Sequence, residues 1–288
     1  MQRARLIPWL LAIPATALLL SVVLGPLAFS LGISFYKWPT PGNPLVFVGL
    51  GNYARILTDE RFFNSLSVTA QFVAASVSLE FLLGLVMALT LSRVNGRPRS
   101  ILSTYLLIPS MLAPVAVGYV WFLLFSAYYG PISYVLSLLF NIPPIEWIAS
   151  SGSLALFSLI VAEVWEWTPF VMMVLLSGLL ALPREPFEAA QVDGAPSWQI
   201  FRRITIPLLR PIILVVLIIR TVDALKVYDL VAVITRGGPG SSTELLSWYI
   251  SLQGFSFWDL SYAASLSYVM LVIVNIIVVI YIRMVSRL

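Results

Sequence analysis

Apolar residues do not alternate along this chain; they run. Six stretches, at about 6–36, 66–91, 101–126, 154–180, 206–234 and 262–284, each reach the roughly 20 apolar residues an α-helix needs to cross about 30 Å of hydrocarbon. Only a helix or a closed barrel satisfies its own backbone polar groups in lipid, and runs of this length are helical. The pattern predicts an all-α membrane protein with six transmembrane helices, organised as one transmembrane domain over 1–288. The first stretch follows Arg3 and Arg5 and contains Ala15-Thr16-Ala17, as a cleaved signal does. Its apolar run continues through "LLLSVVLGPLAFSLGISF", too long for a signal core, so it reads as a retained span.

One segment breaks the pattern. "EAAQVDGAPSWQIFRRITIPLLRP", from Glu188 to Pro211, carries two acids, three arginines and three prolines between two of the most apolar stretches. Pro186 suits a first helical turn, and Glu185 and Glu188 suit its positive end. Gly194 is placed to stop that helix in a left-handed conformation. A second short helix is expected from Pro196, with Trp198, Phe201 and Ile204 at helical spacing, before Pro207 and Pro211 lead back into the membrane. The result is a bent helical knob at about 183–210, with small Ala189, Ala190 and Ala195 allowing close approach. An interfacial helix, with Arg202, Arg203 and Arg210 on lipid headgroups, is the alternative.

Charge sets the orientation. Arg3, Arg5, Arg93, Arg97, Arg99, Arg184, Arg202, Arg203, Arg210, Arg283 and Arg287 fall on one side of the predicted spans; Lys37, Arg55, Arg61 and Arg236 fall on the other. The richer side is cytoplasmic, which puts both termini and the knob there. The net charge of +4 reflects this topology, and nucleic acid is not an expected partner. With no Cys and no His, the sequence offers no disulfide, no thiolate or imidazole metal site and no His-based triad. No metal site is expected, and neither is ATP hydrolysis, since the G-x-x-x-x-G-K-[ST] loop is missing.

Ionisable residues inside spans are functional candidates by default. "EVWEWTPF" places Glu163, Glu166, Trp167 and Phe170 on one helical face. Carboxylates accept hydroxyl hydrogen bonds and an indole covers an apolar sugar face; a helix-packing face is the competing reading. Arg220, Asp223, Lys226 and Asp229 recur every three residues with alternating sign, which also suits a self-paired ladder. Glu80, alone in the second span, is expected to bond a neighbouring helix or subunit.

The order E-A-A, two residues, D-G-A, then Phe201 and Ile206-Pro207-Leu208-Leu209 resembles the EAA loop of permease subunits in ABC-type (ATP-binding-cassette) importers. "FVGLGNYARILTDERFFNSLSVT", "YLLIPSMLAPVAVGYVWFLLF" and "VITRGGPGSSTE" are similar to segments of the carbohydrate-importing branch, and the likeness runs along essentially the whole chain. The sequence departs from that branch at Ser133, where Asn is frequent, and at Pro186-Phe187. The resemblance implies a type I ABC importer permease fold in a bacterial or archaeal cell membrane. It makes Glu188, Ala189, Ala190, Asp193, Gly194, Ala195, Trp198 and Phe201 the contacts to an ATPase. It carries sugar contacts onto Glu163, Glu166, Trp167, Phe170, Arg220, Asp223, Ala224 and Val227, and turns Gly237, Gly238 and Pro239 toward an extracytoplasmic solute-binding protein. It also implies a second homologous permease, two P-loop ATPase copies that bind ATP and Mg, surrounding lipid, a sugar substrate and no cofactor in this chain. The rival is a self-sufficient secondary carrier using Glu163, Glu166, Asp223 and Asp229 as an ion relay.

Overall fold

The computed structural model describes residues 2–38 and 44–286, with side chains from 13 to 284 in those segments. Arg287 lies outside the described residues, as do the side chains of Arg3 and Arg5, so the charge count at these three positions is not placed. The chain folds as two units, 1–60 with 249–273, and 61–248 with 274–288.

In the first unit, α1 (Gln2–Ser34) is exposed along 13–29, where its residues are almost all apolar. A two-residue antiparallel pair, Tyr36–Lys37 with Val46–Phe47, follows it, and then α2 (Gly51–Ile56). Asn52, from the "GLGNY" segment, is buried and donates to the carbonyls of Ser34 and Tyr36 at 2.8 Å each, fixing the exit of α1. Asp59 accepts from Tyr249 at 2.5 Å and from Tyr262, while Arg55 pairs with Asp259 at 2.7 Å and lies over the Tyr262 ring.

The second unit holds the long α3 (Glu60–Ser92), α4 (Arg97–Leu107), a 3-10 turn (Pro109–Met111), α5 (Pro114–Leu124) and α6 (Pro131–Phe140). After α7 (Gly152–Leu180) come the short α8 (Glu185–Val192) and α9 (Ser197–Ile200), a π-helical turn (Phe201–Thr205) and α10 (Ile206–Leu225). A second π turn (Val231–Thr235), α11 (Leu246–Ser251), a third π turn in the first unit (Leu252–Ser256) and α12 (Leu260–Ser286) complete the order, and α3, α11 and α12 each have residues in both units. Small residues bring the long helices together, as they do where lipid supplies no hydrophobic drive. A Cβ on Gly84 of α3 would lie 2.8 Å from Val171 Cγ1 and 3.0 Å from the Met172 nitrogen of α7, and Gly178 of α7 stands under Leu209 and Ile212 of α10. Leu85, Ala88 and Leu91 interleave there with Met172, Leu175, Leu209 and Val216 in one buried cluster.

Among the described residues, five helices are long and apolar enough to span: Ile13–Ser34, Glu60–Ser92, Gly152–Leu180, Ser197–Leu225 and Leu260–Met284. The third predicted stretch, 101–126, is not a single helix. Pro109 and Pro114 cannot donate to the ladder, and Leu112 and Ala113 are extended at ψ 151° and 133°, so α4 and α5 meet at a break. The fifth stretch, 206–234, is not one continuous helix. Helix α10 stops at Leu225, and the Val227 carbonyl accepts from Ser247 Oγ instead of an amide one turn on. Conversely, Pro207 and Pro211 do not interrupt the chain: the wider π turn precedes them and helix runs on to Leu225. Ser133, where the sequence departs from the family, is buried, accepts from Trp147 Nε1 at 3.0 Å and donates to the Ile145 carbonyl at 3.2 Å.

Candidate functional site

Two regions carry the candidate functional residues, and both lie in the second unit. The first is the knob. Helix α8 ends as its sequence demands: Gly194 takes φ +70°, its amide donates to the Gln191 carbonyl at 3.1 Å, and the Ala195 amide reaches back to Ala190 at 2.9 Å. These two bonds form a Schellman motif, which satisfies the last carbonyls and reverses the chain. Nothing of the protein lies within 4 Å of where a Cβ on Gly194 would project. Glu188, Ala189 and Asp193 are exposed, Ala190 and Ala195 half-buried. Val192 and Trp198 expose 88% and 67% of their surface, large for apolar residues in a polar segment. Phe201 departs from the expectation. It packs inward against the α3–α7–α10 cluster, 5.6 Å from the Trp198 ring, and so anchors the knob while Trp198 forms its surface.

The second region is a cavity of about 290 Å³ beside the spans. Glu163, Glu166, Trp167, Arg220, Asp223 and Val227 of the predicted pathway all line it, joined by Lys226, Tyr228 and Asp229. Two predicted members do not. Ala224 is fully buried, and Phe170 packs against the core cluster with its ring edge-on to Trp167. Val227 reaches the cavity from beyond the end of α10, so it does not share one uninterrupted helical face with Arg220 and Asp223.

Arg220 organises this region. Its Nε donates to Glu80 Oε2 at 2.7 Å, and its Nη2 donates to Glu80 Oε1 at 3.1 Å and Glu163 Oε1 at 2.7 Å. The three side chains are 0–1% exposed and tie α10 to α3 and α7. The guanidinium also sits 4.5 Å over the Trp167 ring, so one indole face is occupied by a cation. The expected self-paired ladder is therefore only half present: Lys226 pairs with Asp223 at 3.1 Å, while Arg220 turns to other helices. Glu80 bonds a neighbouring helix, as expected. The carbonyl of Glu166 accepts from Ser110 Oγ at 2.7 Å, which holds the turn after α4 against α7.

The glycine loop is less open than its composition suggests. Gly237 is buried at φ +85°, and a Cβ there would come within 2.8 Å of Trp248 Nε1. Gly238 and Pro239 are half-buried, leaving Arg236 and Gly240 as the exposed positions. Sequence reasoning missed what holds this loop. Arg61 of α3 forks onto Glu244 at 2.8 and 2.6 Å, Ser65 donates to the same carboxylate at 3.1 Å, and Asn64 donates to the Ser241 carbonyl at 3.0 Å.

A bundle of long apolar helices with a polar knob and a charged internal cavity defines a polytopic permease. Residues 80–288 match the family described as "Binding-protein-dependent transport system inner membrane component". The chain belongs to that family, the non-catalytic membrane component of ABC importers. It is 39% identical to the trehalose/maltose transport system permease protein MalF of Thermococcus litoralis, over 88% of this chain and 83% of the relative. It is 34% identical to the trehalose transport system permease protein SugA of Mycobacterium tuberculosis, over 88% and 80%. Its fold superposes with TM-score 0.85 on a chain of a bacterial ABC transporter involved in the import of the acidic polysaccharide alginate, at 21% identity over 99% of this chain and 97% of that one.

Proposed function

We propose that this chain is one half of a heterodimeric pore that imports a sugar, a di- or oligosaccharide or a related polyol or sugar phosphate, delivered by an extracytoplasmic solute-binding protein. The second half is a related permease, and two copies of a P-loop ATPase dock on the cytoplasmic knobs. ATP and Mg belong to the ATPase, and this chain holds no cofactor. Both termini lie in the cytoplasm, and lipid surrounds the exposed apolar faces. The names of the two relatives support the sugar, and the excess of basic residues beside one set of span ends supports the orientation.

The observation that carries the coupling role is the knob itself: a Schellman-capped turn fixes it in shape, yet Val192 and Trp198 are left bare. A rigid projection with an apolar tip is suited to a groove on another protein. Closure of the ATPase pair on ATP would move residues 188–204, and the spans would rock from an inward-facing to an outward-facing state that receives sugar into the pathway. Glu163, Glu166, Trp167 and Arg220 would line that route, and Arg236 with Gly240 would meet the binding protein.

The test is to tag the chain, extract it in mild detergent and identify by mass spectrometry what co-purifies. A P-loop ATPase and a second permease are the expected result. Gly194→Asp sets a charge on the bare side of the turn; the variant chain is expected to insert normally while ATPase capture and uptake are lost. A chain that emerges alone and transports under an ion gradient without ATP would overturn the reading in favour of a secondary carrier.

A further inference from the structure

The cavity beside Arg220 has a sign. Four carboxylates line it, Glu163, Glu166, Asp223 and Asp229, against two cations, Arg220 and Lys226. Both cations are already engaged. Arg220 is forked onto Glu80 and Glu163 and rests on an indole face, and Lys226 Nζ sits 3.1 Å from Asp223. The one guanidinium that would ordinarily receive a carboxylate or phosphate is thus neutralised twice over before any solute arrives.

Two buried polar atoms on side chains lining this cavity make no hydrogen bond among the described residues: Glu166 Oε2 and Arg220 Nη1. Both side chains are 1% exposed. Buried polar atoms normally have partners, so an unsatisfied acceptor and an unsatisfied donor at one cavity suggest a ligand that completes them. A hydroxyl serves either atom, donating to the carboxylate or accepting from the guanidinium. A carboxylate, sulfonate or phosphate dianion can only accept, and it brings its charge to a wall on which acids outnumber bases.

We infer that this wall of the pathway selects uncharged polyhydroxyl solutes and rejects anionic ones, which removes sugar phosphates and uronates from the substrate class. The inference rests on the reading of the cavity as part of the sugar route. The partner permease adds its own wall, so the test uses the whole membrane complex with its ATPase, and omits the binding protein to exclude that protein's selectivity.

Saturation-transfer NMR on the detergent-solubilised complex would compare maltitol with maltobionate, and lactitol with lactobionate. Each pair differs only in a terminal CH2OH replaced by a carboxylate. Transfer to the polyols is expected, with the aldonates weaker by about tenfold or more, the scale on which a like charge disfavours an ionised neighbour. Glu166→Gln combined with Asp229→Asn is nearly isosteric and is expected to narrow that gap to about twofold while changing the signal of the polyols themselves. Equal binding of aldonate and polyol in the unmodified complex, with both altered by the double variant, would overturn the charge selection and leave the cavity as a sugar site. Transfer to no probe, or transfer that the double variant leaves untouched in a complex still monodisperse and able to hydrolyse ATP, would overturn the cavity as the site.

Discussion

The knob at 185–204 and the ion cluster at Arg220 are both polar interruptions of an apolar chain, yet they are built in opposite ways. The knob is closed by its own backbone, through bonds spanning three and five residues, and shows its apolar side chains to the outside. The cluster is closed by side chains 57 and 140 residues apart and shows almost nothing to solvent. The knob can therefore change what it touches without changing whether the protein stands; the cluster cannot.

The sharpest way to break this contrast is Arg220→Met. It leaves Glu80 and Glu163 buried without their cation, and removing one partner of a buried pair costs about 3–5 kcal/mol. Loss of monodisperse protein on size exclusion is expected, with Arg220→Lys recovering part of it, because one ammonium cannot fork two carboxylates in the same plane. A stable, monodisperse Arg220→Met protein would show that the cluster is not a structural tie. Gly84→Ala comes next: overfilling the contact of α3 with Val171 and Met172 is expected to cost about 1–3 kcal/mol, read as a lower midpoint of thermal unfolding in detergent. Gly194→Ala meets no neighbour and pays only for its positive φ, about 1 kcal/mol, within the knob. Trp198→Ala should leave the unfolding midpoint in place while reducing ATPase capture about tenfold or more, as removal of an exposed aromatic anchor does at an interface. Lys226→Ala is the smallest, since an exposed i,i+3 pair contributes within about 0.5 kcal/mol.

The same contrast explains what the sequence disclosed. The knob's helix, its stop at Gly194 and its restart after Pro196 were legible because each depends on neighbours in the chain. Five of six spans were legible because their length follows from the thickness of the bilayer. Hydropathy could not locate the end of the fifth, since it sums Val227 to Ile234 as apolar without regard to where Ser247 returns to claim a carbonyl. The break in the third was written in Pro109 and Pro114, but an apolar count passes over prolines. Helical periodicity puts Glu163, Glu166, Trp167 and Phe170 on one face, yet only the first three line the cavity, because a face has a width and the cavity opens on part of it; Ala224, which came from the family resemblance, is buried in the packing. The partnership of Arg220 with Glu80 and Glu163 was not legible at all: three charges on three spans admit several pairings until packing chooses one. Arg61 and Glu244 went unseen for the same reason.

Helix α3 bears on each of these places. Its 33 residues, at 1.5 Å each, make a rod of about 50 Å, well beyond the hydrocarbon thickness. Arg61 at one end grips the glycine loop through Glu244, Glu80 in the middle is bolted to Arg220, and Leu89 and Ser92 at the other end line a cavity of about 670 Å³ with Phe187 and Glu188. It has no proline within it at which to fold. A stiff beam tied at Arg61 and at Glu80 carries a shift at one tie to the other. Mechanically, α3 is a rigid link between the glycine loop and the knob, braced midway at Arg220.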